Sequence, residues 1–167
     1  TFTREFEMSF CECGRVQVPA KGPADAKILM VGNAPTKFDV KEMTPWTGEA
    51  GTLLETELRK AGFNYLNVRI TNMWQHAKVK ECDLVNHLDV LLKEMKNNRD
   101  VIILMGAETV EFFTGEKVSE VSGLQVTDDD WFSNDDTVYA LFNPGVAMRT
   151  KIGEVRYGLQ MIKEDMC

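Results

Sequence analysis

Histidine is nearly absent, with two residues in 167, and cysteine is sparse, with four. Cys11, Cys13, Cys82 and Cys167 are too few and too unevenly placed for the disulfide framework of a small secreted domain. Metal ligation or plain packing accounts for them better. No apolar run approaches the ~20 residues that cross a bilayer. The longest, such as Val101-Ile-Ile-Leu-Met105, are strand-sized. A charged-then-apolar leader with a small-residue cleavage site is also missing, so the expectation is a cytoplasmic, intracellular protein with no membrane partner. Excess positive charge is lacking too. Nineteen Lys and Arg stand against 26 Asp and Glu, a net charge of −7, so the field of the whole molecule opposes non-specific nucleic-acid binding.

What is present describes a globular chain. Hydrophobic residues make up 44 % and charged ones 27 %, which excludes a disordered tail or low-complexity scaffold. The length suits one domain spanning 1–167 with a sizeable core. The charge is uneven: residues 1–80 carry 11 basic and 9 acidic side chains, whereas 81–167 carry 8 and 17. A surface that faces a polyanion is therefore expected mainly from the first half. Between Asp128 and Asp136 lie five Asp in Asp-Asp-Asp-Trp-Phe-Ser-Asn-Asp-Asp, which reads as a solvated loop. It lacks the glycine and terminal glutamate of a helix-loop-helix calcium motif.

Periodicity sets strands against helices in alternation. Lys27–Gly32, Asn67–Asn72, Asp100–Met105 and Val138–Phe142 read as strands. Gly51–Ala61, Leu84–Met95, the segment after Gly106 through Phe113, and Gly153–Met166 repeat apolar residues at helical spacing. Thr36 to Thr47 reads as a polar loop. The pattern predicts an α/β fold, a three-layer αβα sandwich around a mainly parallel four-stranded sheet. Ligands in such folds bind beyond the carboxyl ends of the strands, which directs attention to the loops after Val31, Thr71 and Phe142.

Those loops carry a family resemblance. Gly32-Asn-Ala-Pro-Thr36, Pro45-Trp-Thr-Gly-Glu-Ala-Gly-Thr-Leu-Leu54, Ile70-Thr-Asn72, Leu104-Met-Gly-Ala107 and Phe142-Asn-Pro-Gly145 follow the motif order of the uracil-DNA glycosylase superfamily. The iron-sulfur branch, with Gly-Glu-Ala-Pro-Gly, Pro-Phe-x-Gly-x-Ala-Gly-x-Leu-Leu, Thr-Asn, Leu-Gly-x-x-Ala and His-Pro-Ser motifs, is the most similar. The resemblance covers about residues 10 to 160 and implies DNA as the partner. A base in a duplex must leave the stack before its glycosidic bond can be reached, so such an enzyme needs a stacking wall and polar readers. The resemblance assigns stacking to Trp46 and pyrimidine-edge reading to Asn72, whose amide both donates and accepts. Gly145 and Arg149 fall where this family holds the DNA backbone; Gly145 lacks the motif's serine hydroxyl but keeps its backbone N–H.

The departures concern the chemistry. Asn33 stands where the iron-sulfur branch has a glutamate, and Asn143 stands where it has the histidine that donates to the leaving base. An amide orients water but is no general base at neutral pH. The mismatch-specific branch of the superfamily uses asparagine in its first motif and can begin its second with Asn-Pro-Ser, so the pair is not by itself a mark of inactivity. The resemblance and its departures imply two readings: a DNA glycosylase excising uracil or a related modified pyrimidine, with Asn33 and Asn143 as catalytic groups, or a retired glycosylase fold that binds DNA, a nucleotide or a replication or repair protein.

The same resemblance bears on a metal. Cys11 and Cys13 fill the positions of the branch's first cysteine pair. The chain's two histidines, His76 and His87, fall at its third and fourth ligand positions. Two thiolates and two imidazoles suit structural zinc better than an iron-sulfur cluster, which prefers four thiolates. Cys82, five residues before His87, is an alternative ligand to one of the histidines.

Overall fold

The computed structural model describes residues 8–128, 130–147 and 150–167. Four strands, β1 (Ile28–Gly32), β2 (Val68–Asn72), β3 (Val101–Met105) and β5 (Val138–Leu141), run parallel, and β4 (Gln125–Val126) adds an antiparallel edge, giving the order β2-β1-β3-β5-β4. All five residues of β1 and of β3 are buried. Continuous apolar runs of this kind fit strands covered on both faces, and helices do cover both.

Alternation along these strands divides the core in two. Leu29, Val31, Ile102 and Leu104 face one layer, formed by α3 (Val85–Met95) and α4 (Ala107–Thr114) through Leu91, Met95, Val110 and Phe113. Met30, Ile103 and Met105 face the other, where α2 (Glu49–Lys60) and α7 (Ile152–Met166) contribute Leu54, Leu58, Val155, Leu159 and Ile162. The three-layer αβα arrangement matches the sequence expectation. Its sheet has five strands where the pattern predicts four, because a two-residue strand is too short to leave a periodicity. Only the pairings Gln125↔Tyr139 and Val126↔Val138 define it.

The segment read as a polar loop also contains a helix, α1 (Lys37–Glu42). Its signal is local. Thr36 accepts from the Asp39 N–H at 3.2 Å while Asp39 accepts from the Thr36 N–H at 3.1 Å, a capping box that starts a helix too short to show amphipathic spacing. Two further short helices, α5 (Val118–Val121) and α6 (Pro144–Ala147), follow the same logic of being too brief for periodicity. Within the acidic run, Asp129 lies outside the described residues. Asp128 and Asp136 cap local turns by accepting the Asp130 and Ser133 N–H groups at 2.9 and 2.8 Å. The intervening Trp131 packs on Phe113 with ring centroids 5.3 Å apart, and Phe132 is buried. No helix among the described residues is long and apolar enough to cross a membrane.

From β1 the chain crosses to β2 on one side, and β3 then pairs with β1 on the other. A crevice opens beyond the strand ends at such a switch point.

Candidate functional site

Asn33 follows β1, Asn72 ends β2 and Asn143 follows β5, and together with Trp46 they line one cavity of about 590 Å³ at that crevice. Gly145 and Asp39 line it as well. Two backbone bonds lace the first two loops together: Met73 N–H donates to Gly32 O at 2.8 Å, and Trp74 N–H to Asn33 O at 2.9 Å. The cavity walls are therefore set by sheet register, which pairs Gly32 with Asn72.

Gly32 is required by what meets above it. A Cβ there would lie 2.5 Å from Asn72 Oδ1 and 2.8 Å from the Trp46 ring, so only glycine lets the carboxamide and the indole converge. Trp46 itself adopts φ +58°, the left-handed region that costs a non-glycine residue about 1 kcal/mol or more. Its neighbours hold it there. Lys21 Nζ donates to Trp46 O at 3.0 Å, and that carbonyl presses on Gly51, where a Cβ would sit only 1.8 Å from the oxygen. Thr47 then anchors the loop to buried Asp39, whose Oδ1 accepts the Thr47 N–H at 3.0 Å and the hydroxyl at 2.6 Å. Burial alone would raise the Asp39 pKa, but the hydrogen bonds from Thr47 and Thr36 outweigh it and hold the carboxyl below its ordinary value. With its oxygens so engaged, Asp39 is an anchor for the loop.

The asparagines differ in what they leave free. Asn143 Oδ1 accepts the Gly145 N–H at 2.8 Å, which fixes the amide and leaves Nδ2 as its donor. That bond also engages the Gly145 N–H which the sequence left available for a phosphate. Asn33 Oδ1 is buried without a partner among the described residues, as is Trp46 Nε1. Asn72 is 5 % exposed and lines the cavity. Arg149 lies outside the described residues.

A second cluster gathers the scarce residues. Cys11, His76, Cys82 and His87 are all buried, and their ligand atoms lie within 4.8 Å of one another. Cys11 comes from an N-terminal turn closed by its N–H on Arg15 O at 2.8 Å. His76 follows β2, and Cys82 and His87 flank the start of α3. The Sγ atoms of Cys11 and Cys82 are 3.5 Å apart and stand 3.7 and 3.6 Å from His87 Nε2, which is 3.1 Å from His76 Nε2. Cys13, expected in the set, sits at its edge, 3.3 Å from His76 Nε2 and partly exposed. Cys82 occupies the inner place beside both histidines.

Both imidazoles turn Nε2 inward and meet a carbonyl oxygen with Nδ1, Ala77 O for His76 and Gln75 Oε1 for His87, each at 2.7 Å. A carbonyl oxygen on Nδ1 fixes each ring and leaves Nε2 as the ligating nitrogen, as in metal-bound histidine. Burial, with His76 adjacent, pulls the His87 pKa down to about 4, so its ring is neutral. Burial pushes the Cys11 thiol up to about 11, whereas the Arg15 backbone and guanidinium bring Cys13 down to about 6.

The four donors are of the kinds that hold a metal. One tetrahedral zinc, with Zn–S near 2.3 Å and Zn–N near 2.0–2.1 Å, sets ligand-to-ligand edges of about 3.3–3.8 Å, which these distances approach. A cubane cluster gives each ligand its own iron and favours four thiolates. The set here mixes two thiolates with two imidazoles, a combination that both zinc sites and two-iron clusters use.

A model of the uracil DNA glycosylase superfamily matches residues 19–160. A protein of Thermotoga maritima named Type-4 uracil-DNA glycosylase is 27 % identical over 157 residues, covering 89 % of this chain and 79 % of that protein. The match takes in all three strand-end loops that build the cavity and both histidines of the buried cluster. With a mainly parallel sheet between two helical layers, this chain belongs to the uracil DNA glycosylase superfamily.

Proposed function

We propose that the protein is a single-domain, monofunctional DNA glycosylase that removes uracil, or a related modified pyrimidine, from DNA after the nucleotide is flipped from the stack. One observation carries this reading: Asn33, Trp46, Asn72 and Asn143, drawn from four separate segments, converge on one cavity of about 590 Å³ at the switch point of the sheet. The flipped base stacks on the Trp46 indole. Asn72 reads the pyrimidine edge with an amide that donates and accepts, so a base with the opposite pattern leaves buried groups unpaired.

Hydrolysis breaks the bond between the base nitrogen and C1′, with the electron pair leaving on the base, and forms a bond from C1′ to a water oxygen. Asn143, its Oδ1 held by Gly145, directs Nδ2 to the base oxygen on which negative charge grows. Asn33 Oδ1, an acceptor without a partner, suits the attacking water. The amide orients that water without taking its proton, which passes to the departing base or to solvent.

Cys11, His76, Cys82 and His87 hold a structural zinc in this reading, with Cys13 as a peripheral thiol. When bound, the ion supplies no chemistry to the base and ties the N-terminal turn to α3. The test is an oligonucleotide assay developed with alkali, which cleaves at the abasic site left by excision. Strand cleavage at uracil supports the reading. An intact strand with DNA still bound contradicts it.

A further inference from the structure

Gln75 is 3 % exposed and bridges His87 of the buried cluster to the backbone at the end of β2, from which Asn72 reaches the cavity. Its Oε1 lies 2.7 Å from His87 Nδ1, while its Nε2 donates to Met73 O at 3.2 Å and to Asn72 O at 3.4 Å. The two carbonyls fix the amide, since turning it over would set oxygen against oxygen. Oε1 therefore faces the imidazole, and Nδ1 must bring the proton to that contact. The Gln75 backbone N–H also lies 3.1 Å from Nδ1 and can donate to it only when that nitrogen is unprotonated. His87 thus has two tautomers with two different partners on one residue.

Resting on the zinc reading, we infer that Gln75 is a positioning residue through which the metal centre sets the base-reading Asn72. Metal on His87 Nε2 requires the proton on Nδ1. That tautomer gives up the backbone N–H contact and engages Oε1. With Oε1 held by the imidazole, Nε2 is held on the carbonyls at the end of β2, where Asn72 projects into the cavity. Loss of the metal frees His87 to take the other tautomer, accept the backbone N–H and release Oε1. The chain of contacts is short and buried, and it passes through no other side chain.

Two variants of the zinc-loaded protein separate the halves of the contact. Gln75→Leu removes both, so zinc affinity, measured by competition with a chelator, falls roughly ten- to a hundredfold. Gln75→Glu keeps an oxygen for Nδ1 and loses the donor to Asn72 O and Met73 O. It retains zinc near the wild-type affinity, yet its Asn72 side-chain amide resonance is displaced. In the wild type, zinc removal shifts that resonance and moves the His87 Nδ1 nitrogen signal to the unprotonated form; in Gln75→Leu the Asn72 resonance no longer responds to zinc. Wild-type zinc affinity in Gln75→Leu, or an Asn72 resonance that ignores zinc in the wild type, overturns the coupling while leaving the metal centre standing. Wild-type protein without stoichiometric metal overturns both.

Discussion

His76 and His87 bring their Nε2 atoms to 3.1 Å of each other, although they are eleven residues apart and are the chain's only histidines. Two imidazole nitrogens that close face each other with lone pairs unless a proton or a metal ion lies between. The carbonyl oxygens held against both Nδ1 atoms favour the ion. Purified protein is therefore expected to contain about one zinc per chain by elemental analysis and to lose thermal stability with a strong chelator.

Ligand substitutions sharpen that expectation. Cys82→Ser removes an inner donor and abolishes stoichiometric zinc, whereas Cys13→Ser, at the edge of the cluster, retains it. Equal loss in the two variants contradicts the assignment of Cys82 to the inner set. Absorption near ~400 nm marks an iron-sulfur cluster instead.

The three cavity asparagines predict different kinetic signatures. Asn72→Ala loses discrimination between uracil and cytosine along with rate. Asn143→Ala loses rate alone, by about a hundredfold, or ~3 kcal/mol, as one hydrogen bond to the developing charge disappears. Asn33→Ala slows cleavage and spares DNA binding. None of these amides titrates, so wild-type kcat is flat between about pH 6 and 9. Asn143→His introduces a group with a pKa near 6.5 and a pH-dependent rate. A bell-shaped wild-type profile argues for a titrating group elsewhere.

Asp39 links stability to pH. Its folded-state pKa lies below the ordinary value of 3.8, so its contribution is full above that value and is lost as pH falls through the lower folded-state one. Asp39→Ala leaves the Thr36 and Thr47 N–H groups without their acceptor and costs about 1–3 kcal/mol at neutral pH. Denaturant titrations should show the gap to wild type closing in acid below about pH 4. A gap independent of pH excludes the carboxylate as its source.

Much of this was legible in the residues for physical reasons. Buried strands such as Val101–Met105 announce themselves as unbroken apolar runs, and α2 and α7 do so by spacing. The cavity asparagines were found through motif order, because each stands at a strand end. β4 and α1 were not, since two paired residues and a six-residue helix are held by partners distant in sequence or by a cap. The place of Cys82 inside Cys13 depends on how a turn at Cys11 folds back, which no spacing encodes. Gln75 carried no signal: an uncharged amide between a tryptophan and a histidine acquires its role only when β2 and α3 bring Asn72 and His87 to its two ends.

The most direct test of the account combines wild type with the variant Asn33→Glu/Asn143→His in the alkali-developed assay on uracil-containing DNA. Wild type is expected to leave abasic sites at uracil. The double variant is expected to raise the rate, because a carboxylate and an imidazole are better placed to activate water and to donate to the departing base. If neither protein releases a base while both bind the same oligonucleotide, the cavity is not a glycosylase site.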